Sequence, residues 1–345
     1  MSLTRSDAIL KYIVEYFIKT AQPVGSHTLI EEYHLPYSSA TIRNEMFALE
    51  KMGYIEKTHS SSGRVPSSKG YRYYCENLRE KNVDEALKNS LQVVLEQKIH
   101  SIEEVIKESC EILSHMTNLV SVVSGSESIE RLANVQLIQI SENTITAVFV
   151  TDKGYVENKT FILPSTIETK EVVSCVQILN DRLKGTPINE LVDKMEALKP
   201  VLNDYVVSHD IVYQALLETF IRFAGDRLSL YGREELFNQP EFKNDAEKLQ
   251  EVFKLLNDKS LFKSVSKEAA NEKDEKVILK IGDINPDVSM VTTKLKIGDG
   301  EESTITLLGP TRMDYDKVLS ALEYLTDELN KYFNDLNNGG NNGDA

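Results

Sequence analysis

Two neighbouring side chains near the start of a predicted helix have the chemistry to read DNA bases. Arg43 can donate two hydrogen bonds to guanine, and Asn44 can bond adenine in a similar bidentate way, if the helix lies in a major groove. Ser39 and Thr41 come just before them, and hydroxyls at a helix start hold phosphate rather than specify bases. The alternative is that these side chains only cover a solvated helix face.

Cations and a histidine after this helix indicate a second contact with DNA. The run from Ser60 to Gly63 predicts a turn between two short strands. A Gly-Arg step at the exit of such a turn is expected to project the Arg64 guanidinium outward, towards the phosphate backbone or a minor groove. The candidate contacts in this part of the chain are His59, Arg64, Lys69 and Arg72.

The elements that must position these residues follow from capping and periodicity. Apolar residues recur at three- and four-residue spacing, which predicts a buried helix face at Ile42, Met46, Leu49 and Met52. Ser38 or Ser39 can cap the start of this helix, and Gly53 can end it with a positive φ. A short strand is predicted to follow.

Two earlier helices complete the predicted N-terminal module. Thr4 is expected to cap the first helix with help from Asp7, and Ser26 is expected to cap the second. Pro36 cannot continue a helix, so it is expected to lie in the turn before the third helix. Three helices followed by a basic hairpin are typical of a winged helix-turn-helix that binds DNA. An amphipathic helix and a hairpin that merely pack together are the structural alternative.

The acidic charge of the chain lies outside this module. The 345 residues carry a net charge of −15, but residues 1–79 contain 10 Lys and Arg against 8 Asp and Glu, a net of +2, which leaves −17 for the remainder. Because salt screens charges beyond roughly 10 Å, an acidic body does not prevent a modestly basic module from binding DNA.

Catalytic, metal and membrane functions have no support in the sequence. The 3 cysteines and 6 histidines are scattered without metal-ligand spacing, and the sequence contains neither a P-loop nor a GxSxG motif. No apolar run approaches the ~20 residues that a membrane span needs. We therefore expect a cytoplasmic protein with no enzymatic activity and no cofactor.

Beyond the module, the order of helical and strand patterns predicts an α+β protein of several domains. Helices lead to three β-rich runs between 134 and 163, which predict an antiparallel meander. Helical patterns then fill most of 188–262, and further strands and a last helix follow. This order suggests an α/β domain interrupted by an inserted helical subdomain. The tail NNGGNNGDA is low in complexity and is expected to be disordered.

Three segments resemble the HrcA family of bacterial heat-inducible repressors of chaperone operons. The first is SSATIRNEMFALEKMGYIEKTHSSSGRVPSSKGYRYY, in the predicted DNA-binding module. The second is LSLYGREELFNQPEF, residues 228–242, and the third is LLGPTRMDYDKVLSALEYL, residues 307–325. The resemblance extends through essentially the whole chain up to the tail.

The resemblance implies a winged helix, a GAF-like domain and an inserted dimerisation subdomain. The corresponding ranges are 1–82 for the winged-helix domain, 83–115 for a helical linker, 116–185 with 263–336 for the GAF-like domain, 186–262 for the inserted subdomain and 337–345 for the tail. Phe220 and Ile221, in the helical block, are the candidate dimer contacts.

The resemblance also implies a homodimer that binds an inverted-repeat operator, CIRCE, and represses chaperone genes with the GroE chaperonin as a positive modulator. Heat is expected to loosen the body while the winged helix stays folded. One alternative is a regulator whose GAF-like domain binds a metabolite. The other is an enzyme with an appended DNA-binding module.

Overall fold

Helices and antiparallel sheets are combined in this chain, as the sequence predicts for an α+β protein. The computed structural model describes residues 3–58, 63–96, 102–125, 131–152, 156–162, 169–203, 213–214, 217–218, 228–243, 245–272, 276–296 and 302–339. Contacts between residues divide the chain into two units. The first unit is Met1–Ser126 with Leu228–Ala345, and the second is Glu127–Arg227.

The N-terminal module, as far as it is described, places a small antiparallel sheet after three helices. Its elements are α1 (Arg5–Thr20), α2 (Ser26–Tyr33), α3 (Ser39–Lys51), β1 (Ile55–Lys57), β2 (Arg64–Pro66) and α4 (Ser68–Tyr73). A π-helical turn, Tyr74–Leu78, continues α4. Ile55 pairs with Pro66 and Lys57 with Arg64, so β1 and β2 form the hairpin strands that the sequence predicts.

Helix ends in the module follow the predicted capping with one exception. Thr4 and Ser38 accept hydrogen bonds from backbone amides in the first turns of α1 and α3. Gly53 follows α3 with a φ of +78°, which an L side chain rarely adopts. The prediction for Ser26 is wrong: Gly25 occupies the cap position, and Ser26 is the first helical residue.

The rest of the first unit, called here the body, is built on a five-stranded antiparallel sheet. The remaining elements of the chain, in both units, are α5 (Glu85–Glu96), α6 (Ile102–Thr117), β3 (Val120–Ser124), β4 (Leu132–Ser141), β5 (Thr144–Thr151), β6 (Val156–Ile162), α7 (Thr169–Leu183), α8 (Leu191–Asn203), β7 (Leu228–Tyr231), α9 (Pro240–Lys243), α10 (Ala246–Asn257), α11 (Lys259–Asn271), β8 (Val277–Asn285), β9 (Val288–Lys296), β10 (Glu302–Pro310) and α12 (Tyr315–Gly339).

In the five-stranded sheet of the body, the strand order is β7-β3-β10-β9-β8. One face of this sheet packs with α5, α6, α12 and the N-terminal module, and the other packs with α10 and α11.

Two strands of this sheet are absent from the sequence-based prediction. The first is β3, which precedes the predicted meander, and the second is β7, which lies within the block 188–262 predicted as mostly helical. β7 has four residues, and it pairs with β3 through partners such as Ser121 and Tyr231, which are far apart in sequence. An apolar run this short does not distinguish a strand from a helix, so its long-range partner decides.

The second unit contains the meander that the sequence predicts. β4, β5 and β6 form an antiparallel sheet in that order, and α7 and α8 pack on the face that carries Ile145 and Phe149. The side-chain amide of Asn180 on α7 accepts from the Val135 amide at 2.7 Å and donates to the Val135 carbonyl at 2.6 Å. This bond pair anchors α7 to the backbone of β4.

The two units divide the chain at residues that differ from the predicted domain boundaries. The prediction groups the meander with the later strands from 277 onwards, whereas the meander has a sheet of its own in the second unit. Residues 228–262, predicted as part of the inserted subdomain, lie in the first unit. Alternating hydrophobicity identifies strands but not their partners, which explains the difference. The GAF-like and dimerisation assignments stay predictions.

The N-terminal module and the body share one continuous apolar core. At the junction lie Tyr71, Tyr74, Tyr315 and Asp316, a group called here the seam. Tyr71 and Tyr74 are 2% and 1% exposed, and the Tyr71 ring centre lies 5.3 Å from that of Tyr315. The Tyr74 hydroxyl donates to Asp316 Oδ2 at 2.9 Å. We therefore expect the module and the body to unfold together.

Tyr71→Ala is expected to lower the free energy of unfolding of the whole first unit by about 3–5 kcal/mol, the range for truncating a large buried aromatic side chain. Tyr71→Phe is the matched control, because the Tyr71 hydroxyl has no hydrogen-bond partner among the described residues and its removal costs little. Denaturant unfolding combined with hydrogen exchange at α3 measures both. If α3 kept its protection while the body unfolded, the module and body would be independent.

Candidate nucleic-acid interface

Helix α3 turns one face to the core and the opposite face to solvent. Ile42, Met46 and Leu49 are buried, as their spacing predicts. Met52, predicted to be buried with them, is 47% exposed because it lies just beyond the last helical residue. The solvent side, called here the exposed face of α3, consists of Ala40, Arg43, Asn44, Phe47, Ala48 and Lys51.

Hydroxyl groups fix the start of α3. Ser38 Oγ accepts the Thr41 amide at 3.2 Å and lies 2.9 Å from Thr41 Oγ1. Ser39 Oγ lies 2.9 Å from Oγ of Ser26, at the start of α2. Ser39 and Thr41 therefore position the helix start, where backbone amides carry the partial positive charge that suits a phosphate.

Both acidic residues of α3 are paired, and neither lies on its exposed face. Glu45 accepts from Arg5 Nε at 2.7 Å. Glu50 accepts from Arg64 twice through one carboxylate oxygen, at 3.0 and 2.7 Å. Because a carboxylate repels phosphate, this arrangement leaves a helix surface that carries cations and no acid.

Arg43 and Asn44 lie next to each other on the exposed face of α3. Both side chains are exposed, and neither forms a hydrogen bond or ion pair with another described residue. An Arg and an Asn without protein partners can bond a base edge without first breaking another interaction. The structure thus brings together the two residues that the sequence predicts for base contact.

Arg64 does not project outward as the sequence predicts. Its side chain is only 14% exposed and lies against Glu50 of α3. The Arg64 backbone pairs in both directions with Val24, at 2.9 Å, in the connection between α1 and α2. Gly63 is packed so closely that a Cβ there would fall 2.8 Å from Pro23 Cβ. This packing turns the guanidinium inward, so Arg64 ties β2 to α3.

Lys69 and Arg72 are also engaged within the protein. Lys69 Nζ donates to the Met52 carbonyl at 2.8 Å, at the end of α3. Arg72 pairs with Asp283 of β8 at 2.9 Å. A contact with DNA would compete with these bonds, so their predicted role stays a prediction. His59 lies outside the described residues.

Two further cations of the module, which are not among the residues predicted to contact DNA, are exposed. Lys57 is exposed on β1 and forms no hydrogen bond or ion pair with another described residue. Lys51 is exposed at the end of α3, with its Nζ 4.8 Å from the ring centre of Phe47. Helical spacing places Lys51 on the same face as Arg43, and this was the signal available in the sequence.

A cavity of about 520 Å³ lies between α1 and the turn before α12. Its polar lining includes Glu15, Lys19, Arg312 and Asp316. Burial raises the pKa of the Glu15 and Asp316 carboxyl groups.

Among the described residues, no group of three or more His, Cys, Asp or Glu side chains could hold a metal ion. None of the helices in the described ranges is both long and apolar enough to cross a membrane.

Arg64→Ala is expected to lower the free energy of unfolding by about 1–2 kcal/mol, because it leaves the half-buried Glu50 carboxylate without its charged donor. Arg43→Ala is the matched control and should change stability by less than about 0.5 kcal/mol, because Arg43 is exposed and unpaired among the described residues. Urea denaturation of the two variants compares them directly. Equal losses would contradict the structural role given to Arg64.

The sequence of this chain is similar to those of known proteins. Residues 103–319 match a family model described as the HrcA protein C-terminal domain. A protein of Halalkalibacterium halodurans, named heat-inducible transcription repressor HrcA, is 34% identical over 344 residues, which cover 97% of this chain and 99% of that protein.

A solved structure shares the fold. This crystal structure of a hypothetical protein, at 2.2 Å resolution, superposes with a TM-score of 0.61 at 23% sequence identity. The match covers 96% of this chain and 99% of that chain. The same mixed arrangement of helices and sheets therefore occurs in a protein of distant sequence.

Proposed function

Because this chain belongs to the HrcA family, we propose that it is a heat-inducible transcription repressor that binds DNA with a winged helix formed by its N-terminal module. The observation that carries the proposal is the exposed face of α3. This face presents Arg43 and Asn44 without protein partners among the described residues, while both acids of α3 are paired at its flanks.

In the proposed complex, α3 enters the major groove. Arg43 and Asn44 lie near its N-terminal end, from which recognition helices contact base edges. The amides at the start of α3 and the Lys57 ammonium on β1 contact phosphates, which set the orientation of the helix without reading sequence. Arg64 holds the hairpin strand against α3 through Glu50, so it acts on DNA binding indirectly.

A homodimer on an inverted repeat is the arrangement that suits such a module, because two-fold protein symmetry then matches two-fold operator symmetry. The family resemblance supports CIRCE as the operator and chaperone genes as the target. It also supports a GAF-like domain, predicted at 116–185 with 263–336, and an inserted dimerisation subdomain at 186–262. Phe220 and Ile221, the proposed dimer contacts, lie outside the described residues.

Arg43→Ala and Asn44→Ala are each expected to weaken binding to the operator by about 1–3 kcal/mol and binding to random DNA far less, because they remove contacts to base edges. Lys57→Ala should weaken both and reduce the slope of log affinity against log salt by about one, because it removes one phosphate contact. Fluorescence anisotropy over a salt series measures both quantities.

The control for this series is Lys19→Ala, since Lys19 is an exposed cation on α1 that pairs with Glu32 of α2. It should leave both affinities unchanged. If Asn44→Ala weakened operator and random DNA equally, base reading by Asn44 would be wrong. If wild-type protein showed no preference for any duplex over random DNA, the repressor function itself would be wrong.

Heat inactivates the repressor, in this proposal, by loosening the seam so that the module and body lose order together. The apolar core shared across the seam supports this simultaneous loss of order in the module and the body. It argues against the expectation that the winged helix stays folded while the body melts. The family resemblance supports the GroE chaperonin as the partner that restores the active form.

A heat-recovery experiment tests this mechanism. Purified protein is heated, cooled and assayed for operator binding, with and without chaperonin and ATP. We expect binding to fall at the temperature where the Tyr315 region unfolds, and to recover more fully with chaperonin. Hydrogen exchange of α3 and α12, which should lose protection together, is the structural readout. Binding that survives heating and ignores chaperonin would remove the mechanism.

The cavity beside α1 favours one alternative, a regulator controlled by a small metabolite. Its volume of about 520 Å³ is within the range of small-molecule sites, and its lining joins α1 to residues of the body. A ligand there would change how the module is held. A thermal-shift screen would identify a metabolite that stabilises the protein. Operator binding that survives heating but changes when this metabolite is added would favour this alternative over the heat mechanism.

A further inference from the structure

Phe47 is an aromatic side chain on a helix surface that otherwise carries polar and small residues. It is 55% exposed, whereas Ile42, Met46 and Leu49 fill the buried side of the same helix. A single exposed apolar residue is common on protein surfaces and needs no explanation by itself. Phe47 differs because of its position, one helical turn from Arg43 and Asn44 on the exposed face of α3.

The neighbours of Phe47 suit close approach of DNA. Ala48, next to Phe47, and Ala40, two turns before it, are exposed and small, so neither blocks the approach of a groove floor to this face. The Lys51 Nζ lies 4.8 Å from the ring centre, which brings a cation beside an apolar surface. Glu45 and Glu50, the acids of this helix, are paired with Arg5 and Arg64.

Charge identifies the occupant of this surface. The exposed face of α3 has two cations, no acid and one ring, which complements a polyanion that also offers apolar groups. In a major groove the apolar group is the C5 methyl of thymine, which protein side chains contact directly. Phe47 lacks a hydrogen-bonding group, so the methyl is the feature of a base edge that it can recognise.

We propose that Phe47 is a specificity-determining residue that packs on the C5 methyl of a thymine in each half of the operator, with Lys51 held beside it to contact a phosphate. This inference rests on the proposed function. Four residues along a helix span about 6 Å, and base pairs are spaced about 3.4 Å apart. The thymine therefore lies within about two base pairs of the base that Arg43 contacts.

Replacement of thymine by deoxyuridine tests the proposal, because it removes only the C5 methyl group. The full-length chain is first used to select its preferred duplex from a random library. Each thymine of that duplex is then replaced in turn, and affinity is measured for wild-type protein and for Phe47→Ala. Wild-type protein should lose roughly three- to fivefold at one position in each half, the effect of one buried methyl group.

Phe47→Ala should bind the thymine and deoxyuridine duplexes equally at that position, while Phe47→Leu keeps part of the difference. Phe237→Ala is the matched control, since Phe237 is 50% exposed but lies in the body. It should behave as wild-type protein. The proposal is overturned if no position loses its methyl dependence in Phe47→Ala, or if Phe47→Ala weakens random and selected DNA equally.

These outcomes separate the inference from the proposed function. A wild-type protein that selects no preferred duplex removes both. A wild-type protein whose selected duplex depends on Arg43 and Asn44, but on no thymine methyl through Phe47, removes only the role of Phe47. Thermal unfolding of Phe47→Ala should match that of wild-type protein, because the ring is mostly exposed.

Discussion

Burial of aromatic side chains at the seam is the interaction on which the rest of the first unit depends. Tyr71 and Tyr315 are almost fully buried, and their rings lie 5.3 Å apart at the junction of two elements far apart in sequence. The ion pair between Arg72 and Asp283 also joins module and body, but its side chains are 44% and 45% exposed, so it contributes about 0–1 kcal/mol. Apolar packing therefore contributes more than this ion pair to the orientation in which α3 is presented.

A second constraint decides which cations of the module are available for the proposed contacts with DNA. Glu50 turns Arg64 inward, and the Met52 carbonyl at the end of α3 takes the Lys69 ammonium. The cations that hold the module together are thereby separated from Arg43 and Lys57, which have no partner among the described residues. A count of charges along the sequence does not distinguish paired from unpaired cations, because both contribute equally to the net charge of +2 over residues 1–79.

Local signals predicted the module well and its packing poorly. Ser38 as a cap, Gly53 with positive φ and the buried spacing of α3 as far as Leu49 each depend on residues within a few positions of one another, and all three are confirmed. The inward turn of Arg64 depends on Glu50 and on the packing of Gly63 against Pro23, which no local pattern encodes. Strands β3 and β7 are absent from the prediction for the same reason, since each is defined by pairing with a strand that is distant in sequence.

The nature of the seam also explains how temperature could act on a protein of this kind. All three cysteines are free and buried, so no disulfide closes the junction. A protein of this class has only about 5–15 kcal/mol of stability, and the conformational entropy that opposes folding weighs more as temperature rises. When the seam opens, α3 loses its fixed orientation and the rings of Tyr71 and Tyr74 become exposed. Exposed apolar surface promotes aggregation and chaperone binding. In the proposed heat mechanism, loss of the DNA-binding geometry and recognition by a chaperonin are two consequences of one opening.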